Sequence, residues 1–244
     1  MIIRTAHNAI IDLHNGPPPF RGNHLALHNG VRQKGEHAAT DWKTAIFADS
    51  DSGEVGWYWF NSTANPKGKA FIGLTSGWNP YMKKDLRRQT GKLFPWRPGQ
   101  QPIVAEASFG GTPPVGKCGL AFDLWVTEQK DHPHAEDIRL EVMVFLHRQG
   151  WGGEGEVTRV EIGEHKYDRT RNEWHPYPTV IYESWLKTPG LRLPITELFI
   201  DAVEAGGIEG NTSQVSSLEF KTEIFGSEHS HGLTFGQLRL LQAP

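Results

Sequence analysis

Short apolar runs separated by clusters of glycine, proline, asparagine and aspartate fill most of the chain. That pattern predicts many β-strands joined by turns. Candidate strands are Asn23–Leu27, Thr44–Ala48, Gly56–Phe60, Ala70–Leu74, Ile103–Ala107, Cys118–Thr127, Ile138–His147, Val157–Ile162, Thr179–Trp185, Ser217–Phe225 and Leu233–Leu240. One segment, Pro194 to Ala205, has helical spacing. There Leu198, Ile200, Ala202 and Val203 mix with Glu197, Asp201 and Glu204, and Gly206-Gly207 supplies a stop. One helix among so many strands favours a sandwich or jelly roll over an α/β fold. No internal repeat or low-complexity linker divides the chain, so residues 1–244 are expected to form a single domain.

Three of these strands carry acids where a solvated face would carry threonine, lysine and serine. Side chains alternate between the two faces of a strand. In the strand around Glu141, residues Leu140, Val142, Val144 and Leu146 share the core face, which leaves Glu141, Met143, Phe145 and His147 on the other. In the strand around Glu223, residues Leu218, Phe220, Thr222 and Ile224 point one way. Glu219, Lys221, Glu223 and Phe225 point the other. In the third, Phe122, Leu124 and Val126 turn inward and Asp123 and Trp125 outward. Acids set among aromatics suit a ligand-lined face. Taken alone, the alternation is equally met by surface glutamates on an ordinary sandwich.

Composition narrows the function classes. Net charge is −3 and charged residues make up 22 %. No basic stripe points to nucleic acid and no polybasic run to a membrane surface. No apolar stretch approaches the roughly 20 residues that cross a bilayer. The single cysteine, Cys118, cannot form an internal disulfide. The histidine pairs His132/His134 and His229/His231 have no ligand set at a metal-binding spacing, so no metal is expected. Aromatic residues reach 11 %, with nine tryptophans. Sugar rings stack on such side chains, and glycoside hydrolysis needs two carboxylates flanking the scissile bond.

The acid-bearing segments resemble glycoside hydrolase family 12, the small jelly-roll endoglucanases. Glu141-Val142-Met143-Val144-Phe145-Leu146 is similar to the family's Glu-Leu-Met-Ile-Trp-Leu strand, with phenylalanine in place of tryptophan. Ala121-Phe122-Asp123-Leu124-Trp125 resembles its Ala-Tyr-Asp-Leu-Phe strand, and Lys221-Thr222-Glu223-Ile224-Phe225 its Gly-Thr-Glu-Pro-Phe. The three motifs stand in family order, with the helix before the last, and cover about half the chain, from Leu120 to Leu241. Further upstream, Ala26-Leu27-His28-Asn29-Gly30-Val31 resembles an early family strand, with Asn29 on a sugar-contacting asparagine and Val31 on a substrate-stacking tryptophan.

The resemblance implies an all-β jelly-roll sandwich of two antiparallel sheets, with a concave substrate cleft and one short helix. It implies a retaining endo-β-1,4-glucanase in which Glu141 is the nucleophile and Glu223 the acid/base. Asp123 neighbours the nucleophile, and the two carboxyls of such a pair stand about 5–5.5 Å apart. Met143, Trp125, Asn29 and Phe145 are the expected substrate contacts. Glu219, on the same strand face as Glu223, is the rival for the acid. Lys221 replaces a family glycine two residues before Glu223, and a nearby cation favours the ionised carboxylate, the wrong direction for a general acid. The expected partner is a β-glucan polysaccharide, with no cofactor, no nucleic acid and no membrane, and the chain is expected to act as a monomer. Secretion is expected from the substrate class, although Met1-Ile2-Ile3-Arg4 begins no signal-peptide apolar region. The alternatives are a xyloglucan-specific endoglucanase and a non-catalytic carbohydrate-binding jelly roll.

Overall fold

The computed structural model describes residues 1–6, 9–18, 20, 25–32, 42–61, 69–81, 93–150, 155–185, 190–225 and 230–243. The first strands are β1 (Ile2–Arg4), β2 (Ile10–Asp12), β3 (Ala26–Arg32), β4 (Trp42–Ala48), β5 (Val55–Asn61) and β6 (Lys69–Gly77). The middle of the chain supplies β7 (Ile103–Val115), β8 (Cys118–Glu128), β9 (Ile138–Gln149), β10 (Thr158–Ile162), β11 (His165–Asn172) and β12 (Thr179–Ser184). After β13 (Gly190–Pro194) come the helix α1 (Ile195–Gly206), β14 (Ser213–Phe225) and β15 (Ser230–Gln242).

These strands build an all-β jelly-roll sandwich. One sheet has the order β1-β4-β5-β15-β7-β13, and the other the order β10-β11-β12-β9-β8-β14-β6-β3-β2. The expectation of two purely antiparallel sheets needs one correction. β12 runs parallel to β9, with Thr179 opposite Glu141. A parallel neighbour requires a long crossover, and β10 and β11 lie within the connection that leads from β9 to β12.

The predicted strands all fall on observed ones, with shifted ends. The first begins at Ala26 and runs on to Arg32, while the part predicted at 23–24 lies outside the described residues. β11 was not predicted. Its sequence HKYDRTRN is polar, yet Tyr167, Thr170 and Asn172 are buried from it. The helix sits one residue later than predicted. Ile195, Leu198, Phe199 and Ala202 are buried while Ile200 is exposed. Gly207 closes it in the left-handed region at φ 67°, where glycine carries no side-chain penalty.

The core lies between the sheets and reads straight from alternation. Phe122, Leu124, Val126, Leu140, Val142, Val144, Leu218, Phe220 and Ile224 all belong to it. Phe220 meets Phe122 at 4.4 Å and Trp57 at 5.7 Å between ring centroids. The Trp57 indole donates to the Thr222 hydroxyl at 2.8 Å, so this inward polar group is satisfied. This packing commits the other face of β8, β9 and β14 to a cleft.

Candidate active site

The cleft encloses about 480 Å³ on the face of the nine-stranded sheet away from the core. That volume falls within the range of ligand pockets. Glu141, Glu223, Glu219, Lys221, Trp125 and His28 line it, with Tyr81, Tyr177 and His175 from the connecting segments. Glu141 and Glu223 are 7 % and 9 % exposed, so each is sunk into the cleft floor and meets solvent only through it.

Register sets their relation. Glu141 on β9 lies opposite Trp125 on β8, and Trp125 lies opposite Ser217 on β14. Glu223 is further along β14, opposite Gly119 of β8 and Phe71 of β6. At intermediate levels stand Asp123, opposite Glu219, and Lys221, opposite Ala121. The two predicted catalytic glutamates are thus staggered across β8, with Asp123 and Lys221 in the interval.

Electrostatics ties the group together. Burial pushes the Glu141 carboxyl up to about 8, and the Asp123 and Glu223 charges add to the rise. The Lys221 ammonium and a hydrogen bond from Thr179 Oγ1 to Glu141 Oε2 (3.3 Å) oppose it. Asp123, fully buried, is pushed up to about 7 by burial, with Lys221 opposing and Glu223 and Glu219 adding. Two carboxyls coupled this closely titrate as one unit.

Glu219 is the opposite case. Its carboxylate accepts from the Trp125 indole at 3.1 Å, the Thr75 hydroxyl at 3.3 Å and the Lys221 ammonium at 3.3 Å. His28 Nε2 stands 3.4 Å away. Against the cost of burial, Lys221 first and then His28 and Trp125 hold it well below the usual carboxylate range. A carboxylate held in this way favours the ionised form, the wrong direction for a general acid.

Lys221 is resolved in the same geometry. Its ammonium is paired with Asp123 and with Glu219, and passes 5.1 Å and 5.7 Å from the Phe71 and Trp125 ring centroids. The sequence placed it on the acid face, where it pairs with Asp123 and Glu219 while its charge also acts on Glu223 and Glu141.

The expected substrate contacts divide. Trp125 lines the cleft, its indole fixed by Glu219 and its ring 4.9 Å from that of Tyr81. Met143 and Phe145 lie on the cleft face but pack with Ala121 and Ile181, at 3 % and 2 % exposure, and do not line the cavity. Asn29 sits at the edge of the expected site. It borders the cavity, but its register partner is the core residue Ile72, and its side-chain amide donates to the Ala6 carbonyl at 3.1 Å. Its neighbour His28, opposite Gly73, lines the cavity as well. The side chain of Val31 lies outside the described residues.

Tyr177 and Tyr81 escaped the sequence reading. Their hydroxyls hydrogen-bond across the cleft wall, and burial raises the Tyr177 phenol well above its usual range. Both lie in connections with no periodic signal. Thr179 was equally hidden, because it reaches Glu141 only through the parallel pairing. Among the described residues no group of three or more histidine, cysteine or acidic side chains could hold a metal. His132 instead packs on Trp78 at 4.3 Å, and His229 lies outside the described residues.

The raised Glu141 carboxyl has a consequence for stability. A carboxyl whose folded value exceeds its unfolded value stabilises the fold at low pH, and that contribution is lost as pH rises through the folded value. For Glu141 the window runs from about 4.5 to about 8. Glu141→Gln keeps an acceptor for Thr179 and removes the buried charge. Its Tm is expected to exceed that of the wild type by about 3 °C or more at pH 8, with the difference vanishing at pH 4.5. Thermal melts at the two pH values check this.

An all-β sandwich with an acid-lined cleft on its larger sheet is the class of protein these observations define. Its fold is that of glycoside hydrolase family 12. A family 12 xyloglucanase from Bacillus licheniformis superposes with a TM-score of 0.75 at 19 % identity, over 99 % of this chain and 100 % of that one. An endoglucanase from Rhodothermus marinus gives 0.71 at 14 % identity, over 98 % of both chains. The family 12 endoglucanase 3 of Trichoderma harzianum gives 0.67 at 14 % identity, over 99 % of this chain and 97 % of that one. No family model matches the sequence, and no curated protein matches it.

Proposed function

We propose that this chain is a retaining endo-acting glycoside hydrolase that cleaves β-1,4-glucan, with Glu141 as nucleophile and Glu223 as acid/base. The observation that carries this reading is the division of labour among the acids in one cleft. Glu219 is held by four partners as an anion, while Glu141 and Glu223 line the same cavity from β9 and β14.

The reaction is a double displacement. Glu223 gives its proton to the departing glycosidic oxygen as the Glu141 carboxylate attacks the anomeric carbon, forming a glycosyl ester and releasing the first sugar. Glu223, now ionised, takes a proton from water. The hydroxide oxygen attacks the same carbon, the ester bond breaks, and Glu141 is regenerated with configuration retained. Thr179 orients the Glu141 carboxyl, and Asp123 sets its protonation as the other half of a coupled pair. Trp125 with the Tyr81–Tyr177 pair forms an aromatic wall suited to a sugar face. A polymeric glucan substrate fits secretion, and action as a monomer is part of the proposal.

Incubation with barley β-glucan, carboxymethyl cellulose and tamarind xyloglucan tests the reading, with reducing ends measured and the first anomer released followed by proton NMR. Xyloglucan belongs in the panel because the Bacillus licheniformis structure is a xyloglucanase. New reducing ends that appear first as the β-anomer are expected. Binding to these polymers without any cleavage would favour the carbohydrate-binding alternative and sink the enzymatic one.

A further inference from the structure

The acid cluster holds a buried lysine for which the proposed double displacement has no direct use. We infer that Lys221 is a positioning residue, whose ammonium offsets the Asp123 charge beside Glu141 and so eases the ionisation of Glu141 for attack. The inference rests on the proposed function for its kinetic readout, but its geometry stands apart from it.

Three observations carry it. First, the Lys221 ammonium is paired with Asp123 and Glu219 and is 5 % exposed, so its charge is spent inside the cluster and little is lost to solvent. Second, the sheet is built to admit it. Across the cleft face Lys221 is flanked by Gly73 on β6 and Ala121 on β8, the two smallest side chains available. A Cβ placed on Gly73 would stand 2.1 Å from the Phe220 carbonyl oxygen and 2.5 Å from the Lys221 Cα, so glycine there lets the β6 and β14 backbones approach closely beside the lysine. Third, the site holds more negative than positive charge. Facing the cluster are Glu141 from β9, Asp123 from β8, Glu219 and Glu223 from β14 and His28 from β3, with the Tyr177 phenol beside Glu141. Two neighbouring buried carboxyls ordinarily keep one proton between them. Here the ammonium offsets the Asp123 charge. Burial still raises both carboxyls, and Lys221 is the principal opposing influence on each.

The rise of kcat/KM on the acidic side reports ionisation of the Asp123–Glu141 pair. Removing the cation disfavours that ionisation, so the limb must move to higher pH. Removing the Glu219 charge favours it, so the limb must move to lower pH. The experiment compares pH profiles of kcat/KM on β-glucan for the wild type, Lys221→Met, Lys221→Arg and Glu219→Gln, each checked for folding by near-ultraviolet circular dichroism. Lys221→Met is expected to move the acidic limb up by ~1 pH unit or more, with a smaller movement of the basic limb, and Lys221→Arg to restore it. Should Lys221→Met not fold, the downward shift in Glu219→Gln carries the test. An acidic limb unmoved in folded Lys221→Met, or unmoved in Glu219→Gln, overturns the inference.

Absence of glucan cleavage by the wild type would count against the proposed function alone. Carbon-13 titration of the aspartate carboxyls, with Asp123 assigned by Asp123→Asn, then reads the same contrast. A rise on removing Lys221 supports its role, and no change overturns it.

Discussion

Replacing Glu141 by glycine is expected to lower glucan hydrolysis by at least ~10⁴-fold while leaving the fold intact. The size follows from its role. Without the carboxylate no glycosyl ester forms, and the remaining groups offer only binding and proton transfer. The fold survives because Glu141 contributes a buried charge whose ionisation opposes folding at neutral pH, so its loss removes a cost. The vacated space also makes the prediction directional. Sodium azide admitted there attacks the anomeric carbon from the side Glu141 occupied, once, and the product is an α-glycosyl azide. With an aryl β-cellotrioside whose phenol leaves readily, azide is expected to restore turnover and give that α product. Recovery of a β-azide, or a variant as active as the wild type, would show that Glu141 is not the nucleophile.

The second large effect concerns Glu223, and its signature depends on the leaving group. Glu223→Ala is expected to lower kcat on β-glucan by ~10²–10⁴-fold, the usual contribution of a positioned proton donor. On the aryl cellotrioside the first step needs little protonation, so the ester forms and accumulates, giving a burst of phenol followed by a slow phase. Azide then speeds the slow phase and yields the β-glycosyl azide, because two inversions occur. Glu219→Gln shares none of these features, since Glu219 is a structural anion pinned by Trp125, Thr75, Lys221 and His28. A burst in Glu219→Gln and none in Glu223→Ala would exchange the two roles.

The parts of the site legible in the sequence are those governed by the two-residue period of a strand. Leu140, Val142 and Val144 on one side of β9 dictate where Glu141 goes, and the same holds for Asp123 on β8 and for Glu219, Lys221 and Glu223 on β14. The same rule, followed strictly, adds His28 to the site beside Asn29. Leu27 is in the core, so the residue two further on shares its face, and His28 must look into the cleft.

What alternation cannot supply is which residues meet across strands distant in sequence. Lys221 finds Asp123 through the β8–β14 register, 98 positions away, and Thr179 reaches Glu141 through a parallel pairing that no hairpin announces. The charge of Lys221 looked hostile to a general acid two residues on. It pairs with Asp123 and Glu219, and its charge still reaches Glu223. Tyr81 and Tyr177 belong to connections, where no periodic pattern exists to point them anywhere. β11 stayed hidden for a related reason, because its buried positions are tyrosine, threonine and asparagine in place of aliphatic residues.

The central claim is that Glu141 forms a covalent bond to the sugar. It is tested most directly with a 2-deoxy-2-fluoro-β-cellotriosyl fluoride, in which the fluorine slows both steps and the good leaving group lets the first proceed. Intact mass spectrometry is expected to show one cellotriosyl equivalent added per chain, and peptide mapping to place it on Glu141. No adduct, or an adduct on Asp123, Glu219 or Glu223, would contradict the account.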